Sequence, residues 1–73
     1  MVYKKITLIG TSGQDFENAV DDAITRAEMT LDNIEWVEIV EQNVQIGGLN
    51  DREYQVEAEV AFEVEPDDYA SST

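Results

Sequence analysis

Residues 2–9 alternate, with Ile6 and Leu8 on one side and Tyr3, Lys5, Thr7 and Ile9 on the other, which predicts a β-strand. Gly10-Thr11-Ser12-Gly13 punctuates its end, and Ser12 followed by Asp15 fits a helix-start signature. From residue 14 to 32 the spacing changes. Phe16, Ala19, Val20, Ala23, Ile24, Ala27 and Leu31 recur at threes and fours, forming one apolar stripe on a helix. Glu17, Asp21, Asp22, Thr25 and Glu28 occupy the wet face, and the small alanines of the stripe let a sheet approach closely.

Residues 33–46 turn β-branched, Gly47-Gly48-Leu49-Asn50-Asp51 supplies turn chemistry, and residues 52–65 alternate again. In that last strand Tyr54, Val56, Ala58, Val60, Phe62 and Val64 face one way; Glu53, Gln55, Glu57, Glu59, Ala61, Glu63 and Glu65 face the other. The expectation is an α+β chain of β-α-β-β order, a three-stranded antiparallel sheet on one helix. Residues 1–66 form a single domain, and an acidic tail, 67–73, follows Pro66 and is expected to be disordered.

The middle strand breaks its own pattern. Val37 and Ile39 share one parity, whereas Val40, Val44 and Ile46 share the other. A bulge near residues 39–40 reconciles them, with Val37 and Ile39 against the helix and Trp36 outside. The alternative places Ile34 and Trp36 inside without a bulge and exposes Val37 and Ile39. A strand of about 14 residues extends roughly 47 Å, but a helix of about 18 residues spans only about 27 Å. The hairpin therefore outreaches its helix, and Val44, Ile46, Leu49, Tyr54 and Val56 on the overhang call for another subunit.

Composition narrows the function. With 17 Asp and Glu against 4 Lys and Arg, the 73 residues carry a net charge of −13. That balance disfavours nucleic acid. No apolar run is long enough to span a membrane, and the N-terminus lacks the apolar core of a secretion signal. The absence of Cys and His removes disulfides, thiolate and imidazole chemistry, and the usual nucleophilic triads. Self-repulsion is relieved either by a cationic partner or by concentrated salt; acidic residues spread along the whole chain favour a cytoplasm of high salt. No spacing matches a calcium loop, and the row of Glu57, Glu59, Glu63 and Glu65 reads as a solvated face with weak Mg²⁺ or Na⁺ binding at subunit contacts as the minority reading. The Gly10–Gly13 segment lacks the Lys of a phosphate-binding loop.

Two uncharged side chains stand out. Trp36 is either an interface anchor or a platform for a planar aromatic ligand. Gln55, the non-acidic polar residue in the outer row of the last strand, has an amide that matches a heterocycle edge with a carbonyl beside an N–H, though a solvated strand Gln is the plainer reading. With the turn centred near residue 49, Trp36 lies opposite residues 62–63 and Gln55 opposite 43–44. That is about seven residues, or roughly 24 Å, so one shared site needs two subunits or a folded sheet.

Tyr3-Lys4-Lys5-Ile6, Gly10-Thr11-Ser12, the Ala-rich helix, Asn33 to Glu41 with Trp36, and Tyr54-Gln55-Val56 followed by Phe62 resemble dodecin, over residues 2–65. The acidity is similar to that of its haloarchaeal members. The resemblance implies a homo-oligomeric shell, a dodecamer, that binds riboflavin, FMN or lumichrome as stacked pairs at two-fold axes. By that likeness Trp36 stacks on the isoalloxazine, Gln55 bonds its pyrimidine edge, and Glu41 and Gln45 fall at the periphery of the ligand site. Asn43-Val44 replaces the Arg-Gly of many bacterial members, which favours uncharged riboflavin or lumichrome over FMN. The function expected is flavin sequestration against photochemistry, without catalysis. The competing readings are a structural interaction module anchored by Trp36 and an enzyme built on two Glu residues.

Overall fold

The most regular alternation in the chain belongs to the strand that ends up in the middle of the sheet. The computed structural model describes residues 1–48 and 51–64 and contains four elements: β1 (Tyr3–Ser12), α1 (Phe16–Thr30), β2 (Ile34–Ile46) and β3 (Arg52–Glu63). They form the expected β-α-β-β architecture, with strand order β1-β3-β2 and both pairings antiparallel. Because β3 has a neighbour on each edge, its residues bury best: Val56, Ala58, Val60 and Ala61 are all fully buried. Leu49 and Asn50 of the expected turn, residue 65 of the expected last strand, the Pro66 after it, and the expected tail 67–73 lie outside the described residues.

The helix is shorter than expected at both ends. Asp15, not Ser12, is the N-cap: its carboxylate accepts from the Asn18 backbone N–H at 2.7 Å. Ser12 stays in β1, and its hydroxyl accepts from the Gln14 N–H at 3.0 Å. Ala19, Ala23 and Ala27 form the buried line of the stripe. Phe16 meets Tyr54 edge-on with ring centroids 5.1 Å apart, tying the first turn to β3.

Nor does the chain turn at Gly10. β1 continues through it, pairing Gly10 with Val56 and Ser12 with Tyr54. The glycine is there for close approach rather than for bending. A Cβ at this position would collide with the Ala19 carbonyl oxygen and come within 2.9 Å of the Ala23 Cβ, so the helix backbone rests directly on the strand. The positive φ of a turn occurs at Gly47 instead (φ 87°), where its N–H donates to the Asp51 carbonyl at 2.7 Å.

β2 resolves its conflicting pattern with two irregularities. One lies between Ile39 and Glu41, as expected; the second, between Ile34 and Trp36, was not foreseen. Together they place Ile34, Val37 and Ile39 on the helix side, opposite Phe62, Val60 and Ala58, while Trp36 pairs with Ala61 and faces away. Extra residues at 35 and 40 absorb the phase error. At about 1.5 Å per residue α1 covers roughly 22 Å, whereas β2 runs about 44 Å. The uncovered end leaves Ile46 73% exposed.

Candidate functional site

The sheet face away from α1 carries the residues of interest. Register places Tyr3, Lys5, Thr7, Ile9 and Thr11 of β1 there, with Glu53, Gln55, Glu57, Glu59, Ala61 and Glu63 of β3. From β2 it adds Trp36, Glu38, Glu41, Asn43 and Gln45. Among the described residues of that face, Lys5 is the one Lys or Arg. Glu38 stands opposite Glu59 and Glu41 opposite Glu57, so like charges meet directly across β2 and β3.

Trp36 sits near one end of this face, 40% exposed. Tyr3 meets it edge-on, ring centroids 4.9 Å apart at 61°, and its indole N–H donates to the Glu38 carboxylate at 3.1 Å. Lys5 donates to the same carboxylate oxygen at 2.8 Å and lies 3.9 Å from Glu59. The hydrogen bond from Lys5, then the one from Trp36, holds the Glu38 carboxyl below the usual carboxylate range. The same contact to Glu38 raises the Lys5 ammonium above its ordinary value.

Gln55 occupies the other end. Its amide N–H donates to the Gln45 side-chain oxygen at 3.1 Å and to the Glu53 carboxylate at 3.3 Å. Gln45 and Gln55 are therefore brought together, with Glu41 two pairs further along β2, opposite Glu57. Trp36 is not. The bulge at residue 40 moves it to Ala61 rather than to residues 62–63, while Gln55 pairs with Asn43 as expected. Six residues along β3 still separate them, roughly 20 Å. Within one chain the two side chains stand too far apart to meet.

A cleft of about 260 Å³ lies elsewhere, lined by Lys4, Thr30, Leu31, Asp32, Asn33, Phe62, Glu63 and Val64, where the end of the helix meets the sheet. None of Trp36, Gln55, Glu41 or Gln45 lines it. Among the described residues, no three Asp or Glu are grouped to hold a metal ion, and no helix is long and apolar enough to cross a membrane.

The sequence model of the family described as Dodecin matches residues 2–65. The chain belongs to the dodecin family. A dodecin from Thermus thermophilus is 44% identical over 64 residues, covering 88% of this chain and 93% of the relative. A protein from Mycobacterium tuberculosis named calcium dodecin is 34% identical over 65 residues, covering 89% and 92%. Among solved structures, one from T. thermophilus superposes with a TM-score of 0.79 at 44% identity, covering 88% of this chain and 94% of that one. The dodecin from Streptomyces davaonensis gives the same TM-score, 0.79, at 31% identity, covering 88% and 94%.

The sequence pattern puts Lys5 and Ala61 on this dodecin face, but it singles out neither them nor Glu38 as neighbours of Trp36. A signal was present in each case. Lys5 is the lone cation in its outer row, Glu38 follows Trp36 at the two-residue spacing of one strand face, and Ala61 is the one apolar residue among the described outer positions of β3.

Proposed function

We propose that this dodecin binds a flavin by stacking the isoalloxazine on Trp36 at contacts between copies of the chain. It sequesters the flavin from solvent and quenches its excited state before photochemistry begins. The observation that carries this reading is the lone Trp, displayed on the open sheet face in a chain of this family. An aromatic platform with a satisfied N–H offers apolar area without an unmet donor.

The second half of the recognition is Gln55, backed by Gln45, with Glu41 at the periphery. Its amide supplies a donor and an acceptor for the pyrimidine edge. Because Trp36 pairs with Ala61, six residues from Gln55 along β3, the two halves come from different copies. Homo-oligomerisation, as the dodecamer of the family resemblance, thus completes the site. Val56, expected on the overhang, is already buried within one chain and Tyr54 packs on Phe16, so the exposed Ile46 is the part of the hairpin end that such copies bury.

Riboflavin or lumichrome fits better than FMN. Lys5 is engaged by Glu38 and Glu59 at the Trp36 end, and among the described residues no Lys or Arg shares the outer face near Gln55 to meet a phosphate. The facing carboxylates make salt part of the design, consistent with a cytoplasm of high ionic strength. Mg²⁺ or Na⁺ at subunit contacts supplements that screening. The M. tuberculosis relative is called calcium dodecin, so calcium is the second ligand to test. Among the described residues no acid–base pair on this face is positioned around a substrate pocket, which supports a role in binding rather than catalysis.

The test is a riboflavin titration in molar KCl, following flavin fluorescence, with Ca²⁺ titrated separately into flavin-free protein. Saturable quenching that disappears in an intact Trp36→Ala assembly is expected. Unchanged fluorescence in the folded wild-type assembly overturns the reading. Loss of the assembly in Trp36→Ala, with no flavin effect in wild type, favours the structural-module alternative.

A further inference from the structure

Trp36 is surrounded by a small polar network on an otherwise repulsive surface. Tyr3 and Lys5 lie on β1, Trp36 and Glu38 on β2, and Ala61 of β3 lies between them, paired with both Lys5 and Trp36. β1 and β2 are two strand spacings apart, about 9.6 Å. Contact across that distance requires that the central strand put nothing tall in the way. Every other described outer position of β3 is Glu or Gln, and residue 61 alone is a methyl group, fully buried beneath its neighbours. A Glu there would add a carboxylate between Lys5 and Glu38. The alanine permits one connected chain, from Lys5 Nζ to Glu38 Oε1 to Trp36 Nε1.

The chemistry of that chain is directional. Glu38 lies opposite Glu59, so without a cation the two carboxylates repel and Glu38 is driven toward solvent. Lys5 lies 2.8 Å from one and 3.9 Å from the other, which cancels the repulsion and holds Glu38 in place. Glu38 in turn accepts the indole N–H, while the Tyr3 ring meets the indole edge-on. The side chain of Trp36 is thus constrained from two directions although it is not buried.

We propose that Glu38, held by Lys5 across Ala61, is a positioning residue that fixes the orientation of the Trp36 indole before any ligand arrives. This rests on the flavin reading only for its consequence. A ring whose orientation is already set loses less freedom when an isoalloxazine stacks on it, which is worth about 5-fold in affinity.

Because Trp36 is the only tryptophan, its time-resolved fluorescence anisotropy in flavin-free protein reads the orientation directly. The assembled protein in molar KCl is compared with Glu38→Ala, Glu38→Gln and Lys5→Met. Glu38→Ala is expected to give fast, large-amplitude indole motion and about 5-fold weaker riboflavin binding. Glu38→Gln keeps an acceptor oxygen and restores slow motion, with affinity within about 2-fold of wild type. Lys5→Met, which keeps most of the apolar stem and loses the charge, falls between them. An anisotropy decay in Glu38→Ala indistinguishable from wild type overturns the proposal. If that variant fails to assemble, an unchanged decay in Lys5→Met does so. Wild-type protein that ignores riboflavin, alongside a loosened indole in Glu38→Ala, removes the flavin reading and leaves the positioning role standing.

Discussion

Replacing Gly10 by Ala adds one methyl group at the place where the helix touches the sheet. In a strand without such a contact, Gly→Ala stabilises by about 0.4–1 kcal/mol, because the unfolded chain loses freedom. Here the sign reverses. The new Cβ would overlap the Ala19 carbonyl oxygen and lie 2.9 Å from the Ala23 Cβ. The first obstacle is backbone and the second has no rotamer to change, so relief requires α1 to lift from β1. That movement loosens Ala19, Ala23 and Ala27, the buried line of the helix. Overpacking of this kind costs about 1–3 kcal/mol when side chains can yield, and the upper end, about 3 kcal/mol, applies when they cannot. A domain this size has roughly 4–10 kcal/mol in total. The melting temperature should fall by roughly 12–24 °C. Thermal and urea unfolding at matched protein and salt concentration measure it, since any self-association makes stability concentration-dependent. Gly48→Ala is the control: no atom of the described residues lies within 4 Å of a Cβ there and its φ is not positive, so it should be neutral or slightly stabilising. A Gly10→Ala protein as stable as Gly48→Ala would refute the close-packed helix.

Asp15→Ala removes the N-cap acceptor of the Asn18 N–H and should cost about 1 kcal/mol, seen as a lower urea midpoint with an unchanged slope. Val60→Ala empties a fully buried position at the sheet centre and should cost about 2 kcal/mol by the same assay. Glu38 titrates below the ordinary carboxylate value of 4.5 and Lys5 above the ordinary 10.5. The contribution of Glu38 is therefore complete above pH 4.5 and fades as pH falls through its lowered value; that of Lys5 is complete below 10.5 and fades as pH rises through its raised value. Trp36 anisotropy should hold constant between those limits and change beyond each, whereas a change centred near neutral pH would contradict the assignment. Removing salt and divalent ions should release riboflavin and separate the subunits together, followed by flavin emission and light scattering; a yellow assembly that persists in dilute buffer counts against the screening argument.

Much of the fold is legible because it depends on local period. Residues 52–64 alternate so regularly that only a half-buried strand satisfies them, and the Ala-rich stripe at threes and fours fits only a helix with one close neighbour. The conflict of parity between Val37 and Val44 even points to a bulge near residue 40. Its companion at residue 35 was not legible. Ile34 and Trp36 have the same parity, so a single strand would put both on one side, and nothing local says that Phe62 draws Ile34 to the helix side while Ala61 receives Trp36. Gly10 misled for a related reason. Composition marks Gly-Thr-Ser-Gly as a turn, yet a glycine serves equally where another backbone presses close, and only the position of α1 distinguishes the two uses.

The candidate site divides along the same line. Trp36 and Gln55 announce themselves by type, as the lone indole and the one uncharged polar residue in the outer row of β3, and spacing along a strand shows that they are far apart. Lys5, Glu38 and Ala61 do not, because their significance lies in adjacency across three strands. The strand order β1-β3-β2 makes Lys5 and Glu38 neighbours although 33 residues separate them. What the sequence determined by itself was therefore the set of elements and the acidity of one face, since each depends on residue type and local period. Only the tertiary structure decided which residues surround the indole, because contact across a sheet depends on register and on the height of the side chain in between.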